Sequence, residues 1–170
     1  MIGEGGNTRY GGEPRFGVMF QQGALSSSMT LAENIETAVA FERQLPLEGA
    51  RELARYKLAL VGLARYADYY PAAISGGMRK RAAIARALAL DPELVFLDEP
   101  SAGLDPLSAG ALDDLILQLR DTLDTSIVLV THELHSIFAI VDQALFLDAE
   151  HKTPAALGSP RWRAEDCPDD

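Results

Sequence analysis

Apolar residues recur along the chain with two different periods. Short apolar runs at 16–20, 94–97, 126–130 and 143–147 predict strands, and the second and third are expected to be buried as in a parallel sheet. Elsewhere apolar residues return every three or four positions, which predicts amphipathic helices. Buried strands that alternate with helices are typical of an α/β protein with a largely parallel sheet.

Four helices are predicted from their start signals. Thr30 and Glu33 form a capping box, and a second helix is expected over 48–61. Ser75 is a good N-cap for the alanine-rich segment that follows it, and Asp105 with the next proline begins a fourth helix. These helices place the polar motifs described next at helix starts and strand ends.

Two acidic residues, Asp98 and Glu99, follow the apolar run 94–97 directly. In open α/β sheets, ligands bind outside the carboxyl ends of the strands. One acid there can hold Mg²⁺, and the other can orient or deprotonate an attacking water. The alternative is a polar strand exit without chemistry.

The helix start at Ser75-Gly76-Gly77 is a second candidate. Free backbone N–H groups at a helix start bind phosphate, and glycines allow close approach, although an ordinary glycine turn would look the same. His132 stands just past the strand predicted at 126–130, where an imidazole could contact a γ-phosphate. A lone histidine is more often structural.

Together, these motifs resemble the ATP-binding subunits of ABC transporters. The matching segments are 74–78 for the signature LSGGQ, with Ile for Leu and Met for Gln, 94–99 for the Walker B strand with its glutamate, 101–105 for the D-loop, and His132 for the switch histidine. The resemblance covers roughly residues 16–147 and implies an α/β, P-loop NTPase-like ABC ATPase core with a helical subdomain, truncated at the N-terminus.

The resemblance also implies a role for each matching residue, with ATP and Mg²⁺ as cofactors. Glu99 would be the base or water orienter and His132 the γ-phosphate contact; Asp98 and Gln21 would hold the metal; Gln21, Ser75, Gly76, Gly77 and Asp105 would belong to the nucleotide site. For Asp105, helix capping is an equally good interpretation.

The family works as a head-to-tail dimer on a membrane permease. We therefore expect a second ATP-binding subunit as partner, a permease that docks near 23–70, and a position on the cytoplasmic face of the inner membrane. The expected organisation is a flexible segment at 1–15, a partial ATPase domain at 16–150 and a loose tail at 151–170. Residues 20–25 and Met78 look most like the lipid-asymmetry (Mla-type) importers.

One motif of the family has no match in the sequence. A P-loop needs Gly-x-x-x-x-Gly-Lys-Ser/Thr, and the 170 residues contain no Gly-Lys pair. We therefore expect that the chain binds and hydrolyses ATP poorly by itself. It would be either a piece of a complete ATPase or a non-catalytic partner that lends its signature to another subunit.

Composition and motif spacing argue against several other classes of protein. The net charge of −10 argues against a nucleic-acid partner, and the single cysteine, Cys167, excludes an internal disulfide. Only about fifty residues separate Gln21 from Ser75, too few for the coiled coil of chromosome-maintenance ATPases. Soluble ABC proteins of translation carry two cassettes and basic linkers, unlike this acidic chain.

Overall fold

A computed structural model describes residues 16–43, 45–123, 125–147 and 154–158. The first three strands are β1 (Phe16–Met19), β2 (Leu94–Asp98) and β3 (Ser126–Val130), and they form one sheet in the order β1-β2-β3. Both pairs are parallel, with Met19 opposite Leu97 and Asp98 opposite Val130. All three strands therefore end at one edge of the sheet, as the predicted α/β fold requires.

The segment between β1 and β2 contains three helices. Helix α1 spans Leu31–Arg43 and α2 spans Leu47–Leu60, and the two pack against each other. The predicted capping box is confirmed, because Glu33 accepts a hydrogen bond from the Thr30 amide (2.7 Å) and its own amide donates to the Thr30 hydroxyl (3.2 Å). Two short 3-10 helices, Ala64–Tyr66 and Pro71–Ala73, lead towards the third helix.

Helix α3 spans Gly76–Ala87 and lies between the helical pair and the sheet. Ser75 caps it as predicted, since its hydroxyl accepts a hydrogen bond from the Met78 amide. Its alanines let β1 come very close: a Cβ on Gly17 would lie 2.1 Å from the carbonyl oxygen of Ala87. Only glycine fits at this crossing.

Helix α4 (Pro106–Thr122) connects β2 to β3, and helix α5 (Leu134–Ile140) follows β3. The Asp105 cap and the proline at the start of α4 are as predicted. Ser136 of α5 donates a hydrogen bond to the buried Asp113 of α4 (2.9 Å), and this bond fixes α5 on α4.

The prediction that β2 and β3 are buried is wrong for one face of the sheet. Val95 and Leu97 are 1% exposed, whereas Val128 and Val130 are 40% and 53% exposed. In strands β2 and β3, successive side chains point to opposite faces, and the core of the described residues covers one face only.

The end of the described chain holds a second sheet. Strand β4 (Ala144–Leu147) pairs antiparallel with β5 (Pro154–Gly158). The loose tail predicted at 151–170 is thus corrected at β5, because residues 154–158 pair with the backbone of β4, a partner that local sequence does not identify. The rest of that tail and the segment 1–15 lie outside the described residues.

Candidate functional site

Glu99 lies at the centre of the site, at the carboxyl edge of the sheet. Its amide donates to the carbonyl oxygen of Val130 (2.8 Å), which joins the ends of β2 and β3. Its backbone has a positive φ of 45°, an unusual conformation for a residue other than glycine. Such conformations persist where the surroundings enforce them, often at functional sites.

The Glu99 carboxylate contacts two residues that follow β3. Oε1 lies 2.6 Å from Nδ1 of His132, and Oε2 accepts a hydrogen bond from the Thr131 hydroxyl (3.3 Å). The glutamate side chain is 16% exposed and the histidine 77% exposed. The structure therefore brings the two residues predicted as catalytic into direct contact.

The contact with Glu99 changes the protonation of the histidine. The hydrogen bond to Glu99, and next the negative charge of that carboxylate, raise the pKa of His132 above its ordinary value. A larger fraction of the imidazole is thus protonated near neutral pH. A protonated ring here can both donate to Glu99 and face an anion from solvent.

Asp98 and Gln21 are the two residues predicted to hold a metal ion. They lie at the same end of neighbouring parallel strands, Asp98 as the last residue of β2 and Gln21 two residues after β1. In the described part of the chain, no three His, Cys, Asp or Glu side chains are grouped to hold a metal ion. Carboxylate and amide oxygens fit Mg²⁺, which is usually held by one or two protein carboxylates, waters and substrate phosphates.

Lys80 of α3 forms hydrogen bonds to the backbone of both Gln21 and Glu99. Its Nζ donates to the carbonyl oxygens of Gln21 (2.6 Å) and Glu99 (3.0 Å). Burial lowers the pKa of Lys80, while the negative charges of Glu99 and Asp98 partly offset that effect. Sequence reasoning missed this residue, because its partners lie 59 and 19 positions away in the chain.

Gly76, the first residue of α3, lines a cavity of about 450 Å³. Gln21, Gly76 and Lys80 are among its lining residues, together with residues 102–104 after β2. A Cβ on Gly76 would lie 3.6 Å from Leu104, and one on Gly77 would lie 3.9 Å from Ser108. The predicted signature and D-loop segments are therefore neighbours, and Gln21 shares their cavity.

Asp105 uses both carboxylate oxygens within its own helix start. Oδ1 accepts from the amides of Leu107 (3.1 Å) and Ser108 (3.0 Å), and Oδ2 accepts from the Ser108 hydroxyl (2.6 Å). The Ser108 hydroxyl and then its amide hold the pKa of Asp105 below the ordinary value. The capping interpretation thus describes its contacts, and a nucleotide contact stays a prediction.

The similar proteins reported next are both named as ATP-binding proteins of transport systems. The chain is 40% identical over 136 residues to the "Probable ribonucleotide transport ATP-binding protein mkl" of Mycobacterium tuberculosis. It is 38% identical over 141 residues to the intermembrane phospholipid transport system ATP-binding protein MlaF of Haemophilus influenzae. These matches cover 80% and 83% of the chain but 38% and 53% of the relatives, so the chain spans about half or less of their length.

Solved structures agree on the fold. One is a dimeric ATP-binding cassette in a post-hydrolysis state with ADP and Pi bound, with a TM-score of 0.74 and 27% identity over 88% of this chain and 65% of that chain. Another is cbiO1 of Clostridium perfringens, part of an ABC transporter complex, with a TM-score of 0.76 and 26% identity over 85% of this chain and 57% of that one. The expected ABC ATPase fold is confirmed.

The family assignment follows from the sequence match together with this fold. Residues 10–102, more than half of the 170, match the ABC transporter family. That range includes the loop after β1, the start of α3 and the acidic end of β2, which carry part of the site. The chain belongs to the ABC transporter family.

Proposed function

We propose that the chain supplies the residues for ATP hydrolysis at the carboxyl edge of the sheet, and the signature motif, of an ABC ATPase that powers transport. The observation that carries the proposal is the placement of Glu99 beyond β2, between Thr131 and His132 and next to Asp98. Ligands of open α/β sheets bind at this edge. Its acid–imidazole pair suits activation of water beside a phosphate.

Each residue has a defined task in this proposal. Glu99 orients the attacking water and accepts its proton, and Asp98 with the Gln21 amide would hold Mg²⁺, which neutralises phosphate charge when bound. His132 occupies one oxygen of Glu99 in this structure. When the imidazole turns to the γ-phosphate, that oxygen becomes free for the water.

The phosphate cradle comes from outside the 170 residues in this proposal. Backbone N–H groups and a lysine of the P-loop normally neutralise the phosphates. Without a Gly-Lys pair, the chain alone binds ATP weakly. Titration with a fluorescent ATP analogue should give no saturable binding at micromolar concentrations, and a micromolar Kd would contradict this part of the proposal.

The coding sequence upstream of Met1 decides between two versions of the proposal. If the same frame encodes a strand and Gly-x-x-x-x-Gly-Lys-Ser/Thr, the extended protein should hydrolyse ATP. In it, Glu99→Gln should lower kcat by about 10²–10⁴-fold with little change in ATP binding, as expected for loss of a general base. Equal turnover by Glu99→Gln would refute the role of this residue.

A stop codon close upstream would favour the second version, a non-catalytic module. The chain would then lend Ser75, Gly76 and Gly77 to the ATP of a second subunit. Mixed with a P-loop subunit whose signature is damaged, it should restore ATPase activity. Ser75→Arg, which blocks the helix start, should abolish this rescue.

The permease and the substrate complete the proposal. The helical region at 23–70 would dock on a permease and hold the chain at the cytoplasmic face of the inner membrane. Among the described residues, none of the helices has the length and apolarity needed to cross a bilayer. The names of the relatives differ in substrate, phospholipid for MlaF and ribonucleotide for mkl.

We favour phospholipid as the substrate, because residues 20–25 and Met78 resemble the Mla-type importers. The complex with its permease, in lipid nanodiscs, should transfer labelled phospholipid when ATP is added. Transfer of ribonucleotides instead of phospholipid would overturn the choice of substrate and leave the ATPase role intact.

A further inference from the structure

One face of α3 runs along the loop that follows β1. Lys80 donates to the carbonyl oxygen of Gln21 (2.6 Å), and Arg86, further along the helix, donates to the carbonyl oxygen of Ala24. Between them, a Cβ on Gly23 would lie only 3.2 Å from the Cβ of Ala83. Residues three positions apart are neighbours on a helix surface, so α3 meets this loop along a strip that contains residues 80, 83 and 86.

Lys80 also donates a hydrogen bond to the backbone of Glu99, after β2. Its Nζ is 3.0 Å from the carbonyl oxygen of Glu99, a residue whose backbone adopts a positive φ of 45°. A hydrogen bond from an ammonium group is stronger than one between neutral groups. It favours the backbone conformation that directs the Glu99 carboxylate towards Thr131 and His132.

We propose that Lys80 is a positioning residue that fixes the spacing between the loop carrying Gln21 and the carboxylate of Glu99. A single ammonium group bonded to both carbonyl oxygens transmits a shift of α3 to both loops at once. Arg86, in contrast, donates its described hydrogen bond to the loop after β1 and not to Glu99. The inference rests on the proposed roles of Gln21 and Glu99, but its test requires no ATP turnover.

The test uses two NMR measurements on the 170-residue chain and its Lys80→Met variant. The first is amide hydrogen exchange at Gly23, whose N–H donates to the carbonyl oxygen of Phe20 (2.7 Å). We expect about tenfold faster exchange in the variant, because local opening costs less free energy once the loop is released. The second is the pKa of His132, assigned with a His132→Gln variant.

The direction of the His132 shift separates positioning from simple charge. If Lys80 positions Glu99, the carboxylate moves away in Lys80→Met and the pKa of His132 falls towards its ordinary value. If Lys80 acts only as a nearby cation, its removal raises the pKa of His132 instead. An unchanged or raised pKa would overturn the proposal.

Three further variants make the result specific. Lys80→Arg, which keeps the charge and the donors, should preserve most of the Gly23 protection and the His132 pKa. Arg86→Met should accelerate exchange at Gly23 and leave His132 unchanged, and Arg81→Met should change neither readout. Circular dichroism checks that each variant is folded; a His132 shift in folded Arg86→Met or Arg81→Met would also contradict a specific role for Lys80.

Discussion

The two faces of the three-stranded sheet are both apolar, but only one is covered by the described residues. Met19, Val95 and Leu97 on the covered face are each 1% exposed. On the open face, Phe16 is 65% exposed and its ring meets only the edge-on ring of Phe96 across the strands (6.4 Å between centroids) among the described aromatic contacts. The same strands thus give very different burial to chemically similar side chains.

The contrast between the two faces shows what an apolar run in a sequence indicates about burial. Such a run indicates a strand that tolerates burial on both faces, and it does not identify which neighbour covers each face. Burial is what makes an apolar side chain stabilise the fold. The covered and open faces should therefore respond very differently to the same kind of substitution.

The largest effect is expected from truncation on the covered face. Leu97→Ala should lower the free energy of unfolding by about 3 kcal/mol, because it removes buried methyl groups and leaves a cavity. Urea unfolding measures the loss, provided that the slope of free energy against urea concentration is the same in both proteins. The comparison would fail if this variant were as stable as the original chain, since Leu97 would then contribute no more than an exposed residue.

A smaller loss is expected for a covered charged residue, Lys57. This side chain of α2 is 2% exposed and forms an ion pair with Asp91. Lys57→Ala should lower the free energy of unfolding by about 2 kcal/mol, and Lys57→Met by less, because methionine retains the packed stem. Equal losses in the two variants would assign the effect to the charge rather than to packing.

A pH dependence is expected from Asp113, which is buried between α4 and α5. Burial raises the pKa of Asp113, while the hydrogen bond from Ser136 and the charge of His135 oppose this, and Asp114 and Glu133 add to it. The folded chain therefore binds the proton of the Asp113 carboxyl more tightly than the unfolded chain does, in which the pKa of an aspartate is about 3.9. The stabilisation from Asp113 is present below that pH and is lost as the pH rises towards the raised folded value.

Comparison of the chain with Asp113→Asn isolates this contribution. The free energy of unfolding of the original chain, relative to the variant, should fall as the pH rises from about 4. Urea unfolding at a series of pH values measures it. If the stability of the original chain relative to the variant rose with pH instead, Asp113 would be stabilised as a carboxylate.

The smallest effect is expected on the open face. Val130 is 53% exposed, so Val130→Thr should change the free energy of unfolding by no more than about 0.5 kcal/mol. The same urea titration as for Leu97→Ala provides the measurement. A loss comparable to that of Leu97→Ala would mean that this face is covered in solution.

Local signals in the sequence predicted much of the fold. The capping box at Thr30, the caps at Ser75 and Asp105, and the strands beginning near Phe16, Leu94 and Ser126 are all found in the structure within a residue or two. Each depends on residues within a few positions of one another, and capping and turn chemistry act at that range. Two predictions were wrong, the burial of both sheet faces and the loose tail where it includes residues 154–158, and both depend on distant partners.

The candidate site divides in the same way. The sequence alone was sufficient to show that two acids stand at the carboxyl end of β2, that His132 follows β3, and that no Gly-Lys pair is available to hold phosphates. The contact of His132 with Glu99, the second contact from Thr131, and the bonds of Lys80 to Gln21 and Glu99 became known from the folded structure. The physical reason is that hydrogen bonds act over about 3 Å, and a linear sequence does not specify which residues from distant segments meet at that distance.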